Sequence, residues 1–106
     1  MAYSRAYKFP ANILHLSLIC KAFSHPARIE IIHLLNQKGK ATFNQINNLI
    51  PLHSTTVSQH LRFLREMNII IGEDKEPFYY RLNRKLPQAH KDLIDLATKS
   101  QRSFSC

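Results

Sequence analysis

Thr42-Phe43-Asn44-Gln45-Ile46-Asn47-Asn48-Leu49-Ile50-Pro51-Leu52-His53-Ser54-Thr55-Thr56-Val57-Ser58-Gln59-His60-Leu61-Arg62-Phe63-Leu64-Arg65-Glu66-Met67 holds two helical patterns divided by one proline. Thr42 followed three residues later by Gln45 fits a capping box, in which hydroxyl and amide satisfy each other's free backbone N–H groups. A short helix over about residues 42–50 follows, apolar at Phe43, Ile46, Leu49 and Ile50. Pro51 ends it, because a residue before proline is biased away from helical geometry. Leu52 and His53 make the turn, and a second helix runs over about 54–67, with Val57, Leu61 and Leu64 on one face. Two helices across so tight a turn read as a helix-turn-helix.

Working outward, Gly39 and Gly72, the chain's two glycines, stand where regular elements should stop. The first helix is expected over about 11–23. Ile13, Leu14, Leu16, Leu18, Ile19, Ala22 and Phe23 make it apolar around most of its circumference, which calls for cover on more than one side, including a partner subunit. Ser24 is the expected cap of a second helix over about 25–37, with Pro26 in its first turn and Gly39 beyond its end. After Met67, the β-branched and aromatic runs Ile69-Ile70-Ile71 and Phe78-Tyr79-Tyr80-Arg81-Leu82 flank a polar segment and predict a β-hairpin over about 69–82. Alternation along the second run points only one of Tyr79 and Tyr80 outward. A last amphipathic helix is expected over about 88–100, with 99–106 as a frayed end. The expected fold is mainly α with a small β-hairpin, in one domain covering residues 1–106.

Composition narrows the class. The length of 106 residues suits one modest core and leaves no room for a separate catalytic domain. Fifteen Lys and Arg against seven Asp and Glu give a formal charge of +8, which points to a polyanionic partner. Hydrophobic residues at 44% exclude a disordered basic tail. Met1 to Pro10 does not read as a signal peptide, and the apolar stretch Ile13 to Cys20 is too short for a bilayer, so a cytoplasmic protein without membrane association is expected. Cys20 and Cys106 are too few for a disulfide framework or a zinc cluster. The sequence contains no Gly-rich phosphate loop, HExxH pair or GxSxG elbow, and an enzyme is not expected.

The second helix of the motif carries the functional reading. At about 100° per residue from Val57, Leu61 and Leu64 fall within about 40° of it, and Ser54, Arg65, Ser58, Arg62, Thr55, Glu66 and Gln59 span an arc from about 60° to 200°. Short hydroxyls, an amide and guanidinium groups suit base edges and phosphates: glutamine can pair with adenine, arginine with guanine or phosphate. The free first-turn N–H groups add a place for a phosphate. Arg62 is the expected phosphate contact. His60, at about 300°, is expected to be structural. In the hairpin, Lys75 and Arg81 are candidate backbone contacts, but Glu73, Asp74 and Glu76 make its tip acidic and its grip weak.

Lys21-Ala22-Phe23-Ser24-His25-Pro26-Ala27-Arg28, then Thr56-Val57-Ser58-Gln59-His60-Leu61-Arg62-Phe63-Leu64-Arg65-Glu66, then Tyr79-Tyr80-Arg81-Leu82 resemble, in this order, the ArsR/SmtB family of bacterial winged-helix repressors. The resemblance covers about Leu16 to Leu82. It implies a winged helix-turn-helix, a homodimer paired through its first and last helices, a recognition helix in the major groove and a β-wing near the flanking backbone. By position, Ser54, Thr55, Ser58 and Gln59 match the family's principal DNA-reading residues, the same face the helical wheel exposes.

The family's sensing chemistry is not carried over. A metal site built on a Cys-x-Cys pair would fall on Ala41 to Leu49, which holds no cysteine. His90 and Asp92, with Asp95, open the last helix, but a spacing of two puts the first pair on different sides, as ordinary surface residues. His15, His25, His33 and His53 lie in separate elements and are assigned structural or solvent roles. Cys20, in a helix that reads as buried, and Cys106 are poor candidates for a redox pair. No metal or other cofactor is expected, and the effector is left open. Two functions stand: a double-stranded DNA-binding transcriptional regulator, a repressor on a palindromic operator, or a winged-helix module that contacts protein or RNA without operator specificity. The polar face lacks the aromatic and aliphatic anchors of an interaction surface and favours the first.

Overall fold

A computed structural model describes residues 8–103, with side chains to residue 96. The signal-peptide reading of Met1 to Pro10 falls mostly, and Cys106 wholly, outside the described residues. Five helices and three short strands follow in the order α1 (Ala11–Ala22), α2 (Pro26–Lys38), β1 (Lys40–Thr42), α3 (Phe43–Leu49), α4 (Ser54–Glu66), β2 (Ile70–Gly72), β3 (Tyr79–Leu82), α5 (Gln88–Ser103). The expected helices and hairpin are all present, with ends moved by one or two residues except α5, which continues three residues further.

Two local details differ from the sequence reading. The cap of α2 is His25, whose Nδ1 accepts from the Ala27 N–H at 3.0 Å. Ser24 instead donates its hydroxyl to the Lys21 carbonyl at 2.7 Å, closing the end of α1. Pro26, with fixed φ and no N–H, takes the first helical position, so the cap is the residue immediately before it. The second difference is β1. Lys40 to Thr42 pairs antiparallel with β3, Ala41 opposite Tyr80, and turns the hairpin into a three-stranded sheet of order β1-β3-β2. Three residues leave too little alternation to be read as a strand; a partner brought near by the fold makes one.

Helix ends use the devices their residues allow. Gly39 stops α2 at φ +86°, a left-handed conformation open to glycine, while its N–H bonds the Leu35 carbonyl at 2.9 Å. The capping box of α3 is present in both directions: Thr42 Oγ1 accepts from the Gln45 N–H at 3.2 Å, and Gln45 Oε1 from the Thr42 N–H at 2.8 Å. Ile50 is extended before Pro51, as proline requires. Beyond α4, Asn68 takes φ +59°, and the Ile69 N–H returns to the Leu64 carbonyl, a helix stop that asparagine tolerates.

The core joins Ile31, Ile32 and Leu35 of α2, Ile46 of α3, Val57, Leu61 and Leu64 of α4, Ile69, Ile70 and Leu82 of the sheet and its approach, and Ile94 of α5. The three α4 residues are those placed on one face by the 3.6-residue period. Helix α1 contributes little: only Ile19 and Ala22 are buried, while Ile13, Leu16 and Leu18 are exposed. Cys20 is exposed too, against the reading of this helix as buried. An apolar sequence needs cover, and the described residues leave this side of α1 open. No helix among the described residues is long and apolar enough to cross a membrane.

Thr42→Ala, which removes the hydroxyl of the capping box, should cost about 1 kcal/mol of unfolding free energy in urea titration. Leu64→Ala, in the fully buried seam of α4, should cost about 3 kcal/mol.

Candidate nucleic-acid interface

Sequence patterning divides α4 lengthwise, and the structure keeps that division. Val57, Leu61 and Leu64 are buried, while Ser54, Thr55, Ser58, Gln59 and Arg62 are exposed. All five exposed residues line one shallow groove of about 780 Å³. Phe43 of α3 and Tyr80 of β3 form its sides, and Arg65 and Glu66 continue it along α4. At the start of α4, the His53 side chain makes no capping hydrogen bond, so it does not compete for the first-turn amides.

The wing candidates separate from this group. Lys75 is exposed in the acidic loop between β2 and β3, and Arg81 is half-buried on the central strand; neither lines the groove. Ala41 is buried and pairs with Tyr80, which packs on the core, so alternation sends Arg81 and its cross-strand partner Lys40 to the outer face of the sheet. Lys40 Nζ lies 4.4 Å from the centroid of the Tyr79 ring on that face. Thus one tyrosine faces inward and one outward, as the alternation predicts.

Two residues that sequence reasoning did not select belong to the site's architecture. The Arg65 guanidinium lies against Gly72 of β2, where an added Cβ would stand 3.3 Å from Arg65 Cζ. A side chain at position 72 would push on the link between α4 and the wing. Arg28 of α2 donates from Nε to His60 Nδ1 at 3.1 Å. The helical wheel puts Arg65 on the polar arc but cannot tell which arginine meets the sheet. Nothing in the period of α2 marks Arg28 as a partner of α4.

Residues 25–71 match the family model described as "Bacterial regulatory protein, arsR family". This stretch, from the cap of α2 into β2, is what the chain shares with the arsR family. It is 26% identical over 95 residues to the "Cadmium resistance transcriptional regulatory protein CadC homolog" of Staphylococcus aureus, spanning 89% of this chain and 76% of that one. It is 33% identical over 64 residues to the "Arsenical resistance operon repressor" of Bacillus subtilis (strain 168), spanning 59% of this chain and 61% of the relative. The solved structure "Reduced HlyU from Vibrio cholerae N16961" superposes with a TM-score of 0.71 at 20% identity, covering 90% of this chain and 94% of that one. The fold is a winged helix-turn-helix, and the proteins that the chain resembles are transcriptional regulators rather than enzymes.

The histidines are less scattered than their sequence positions suggest. His60 is buried, as expected for a structural residue, and its ring stacks 4.3 Å from that of His25. His90, read from the sequence as a surface residue, is buried, with His15 of α1 edge-on at 5.8 Å between ring centroids. The packing of α5 against α2, with His15 of α1 reaching His90, is invisible to helix spacing within α5 and accounts for the difference. Among the described residues, no three His, Cys, Asp or Glu side chains converge as metal ligands would, and the donor set does not fit a thiolate site on α3.

Burial, followed by the neighbouring His25 and Arg28, holds His60 below the usual histidine range; burial and then His15 do the same for His90. The unfolded chain therefore binds more protons than the folded one once the pH falls below about 6.5, and stability is lost in that direction. Thermal unfolding followed by circular dichroism should show a midpoint that falls as pH drops from about 7.5 to about 5. A midpoint that rises on acidification would contradict the buried, neutral state of both rings.

Proposed function

We propose that this chain is a cytoplasmic repressor of the arsR family that binds a palindromic operator as a homodimer, with residues 1–106 working as one DNA-binding domain. Ser54, Thr55, Ser58 and Gln59 read base edges in the major groove, and Arg62 grips a phosphate. The observation that carries this reading is the exposed polar face of α4, whose five side chains share one groove while the opposite side of the helix is buried. Hydroxyl and amide groups on a helix that can enter a major groove supply direct readout, and the first-turn amides add a backbone contact. Arg81 and Lys75 remain secondary phosphate contacts. The acidic neighbours Glu73, Asp74 and Glu76 of Lys75 are exposed with it and weaken the wing tip. The likeness to the Bacillus subtilis protein, which is a repressor of an operon, supports repression.

Homodimerisation through α1 and α5 rests on their exposed apolar residues. Ile13, Leu16 and Leu18 on α1 and Leu96 on α5 are each at least 44% exposed. A second copy would cover these surfaces and bring two α4 helices to half-sites about one helical turn apart.

Titration of labelled promoter DNA and of a random duplex at several salt concentrations tests the reading. Gln59→Ala and Ser58→Ala should lower preference for the promoter, by about 1–3 kcal/mol for each base pair that is no longer read. Arg62→Ala should weaken both duplexes alike and reduce the salt slope by about one. Equal binding of promoter and random DNA by the unaltered chain would refute operator recognition. Leu16→Glu should shift the chain from dimer to monomer in sedimentation velocity, because a buried unpaired carboxylate is costly.

A further inference from the structure

Helices α2 and α4 meet at a joint organised by one side chain. Arg28 donates from Nε to His60 Nδ1 at 3.1 Å and from Nη1 to the Lys21 carbonyl at 2.8 Å, and its Cζ lies 3.9 Å from the centroid of the Phe63 ring. Lys21 stands in the last turn of α1, so the guanidinium of an α2 residue contacts α1 and α4 together. His25, beside it, stacks on His60 and caps α2. None of Arg28, His25, His60 and Phe63 lines the groove of the reading face, yet Phe63 follows Arg62 directly, and His60 follows Gln59.

The largest apolar hold on α4 is the seam of Val57, Leu61 and Leu64. Apolar burial resists separation but is non-directional. A planar guanidinium that bonds two acceptors and stacks on an aromatic ring is directional. We infer that Arg28 is a positioning residue for DNA recognition: by holding His60 and Phe63 it fixes the pose of α4 on α2, so that Ser58 and Gln59 meet the bases in one orientation. This inference rests on the reading of α4 as the recognition helix.

The joint uses the neutral form of histidine. His60 Nδ1 accepts only while unprotonated, and burial keeps it so near neutral pH. The titratable or charged groups facing this part of α4 are His25 and Arg28 from α2 and Lys21 from α1, whose Nζ lies 5.7 Å from the Phe63 ring centroid. A proton on His60 removes the acceptor and adds repulsion to Arg28. Acid therefore loosens the joint and lowers discrimination between sequences. The general effect of acid has the opposite sign, since added positive charge tightens contact with phosphates.

The test uses the full chain and two fluorescein-labelled duplexes, one carrying the sequence most enriched by selection from a randomised library and one of random sequence. If no sequence is enriched, operator recognition fails and the inference falls with it; enrichment lets the inference be judged separately. Arg28→Met keeps an unbranched stem over Phe63 and removes the donors. It should bind the enriched duplex about tenfold more weakly and the random duplex within about twofold of the unaltered chain. An equal loss on both, with a shallower salt dependence, would make Arg28 a phosphate contact and overturn the inference, as would no loss. His60→Asn offers Oδ1 in place of Nδ1 and does not titrate. Between about pH 7.5 and about pH 5.5 the unaltered chain should lose about tenfold in preference for the enriched duplex, and His60→Asn less than about twofold. Parallel pH profiles overturn the inference, and this comparison decides if Arg28→Met does not fold.

Discussion

Helix α4 serves the core and the groove at once, and the burial of Val57, Leu61 and Leu64 makes both uses compatible. Each of these side chains, closed off from water among α2, α3 and the sheet, contributes about 2 kcal/mol. Because they recur every three or four residues, they occupy one side of the helix and leave the other to Ser54, Thr55, Ser58, Gln59 and Arg62. Loss of the seam would free the polar face from any fixed relation to the rest of the molecule. Phe43 and Tyr80, on either side of the groove, belong to elements packed on the same core, so the shape of the groove and the stability of the fold have one origin.

The sheet is small but it joins segments far apart in sequence. Strand β3 lies between β1 and β2, linking the start of the helix-turn-helix to the hairpin that follows it. Arg65 over Gly72 ties the end of α4 to the same sheet. The basic pair of Lys40 and Arg81 appears only because β1 forms, and it lies on the outer face of the sheet.

Charge and protonation are distributed unevenly through this architecture. Two histidine pairs, His25 with His60 and His15 with His90, join different helices, and each includes one ring buried in its neutral form. Such rings stay uncharged near neutral pH and become liabilities in acid. The cationic groups around His60 add to that liability, whereas the apolar seam of α4 is indifferent to pH.

Much of this organisation was legible in the residues alone. The capping box at Thr42 and Gln45, the break at Pro51, the stop at Gly39 and the spacing of Val57, Leu61 and Leu64 are local, and local chemistry fixes helix ends and the buried side of a helix. The exposed face of α4, and hence the candidate reading residues, follows from the same period. Strand β1, the grip of Arg28 on His60, the burial of His90 and the approach of Arg65 to Gly72 were decided by the tertiary structure. Each depends on residues that the chain brings together from distant positions; Arg28 and His60 are 32 residues apart. Periodicity tells which way a side chain points from its own helix, but what it meets there is set by the packing of the others.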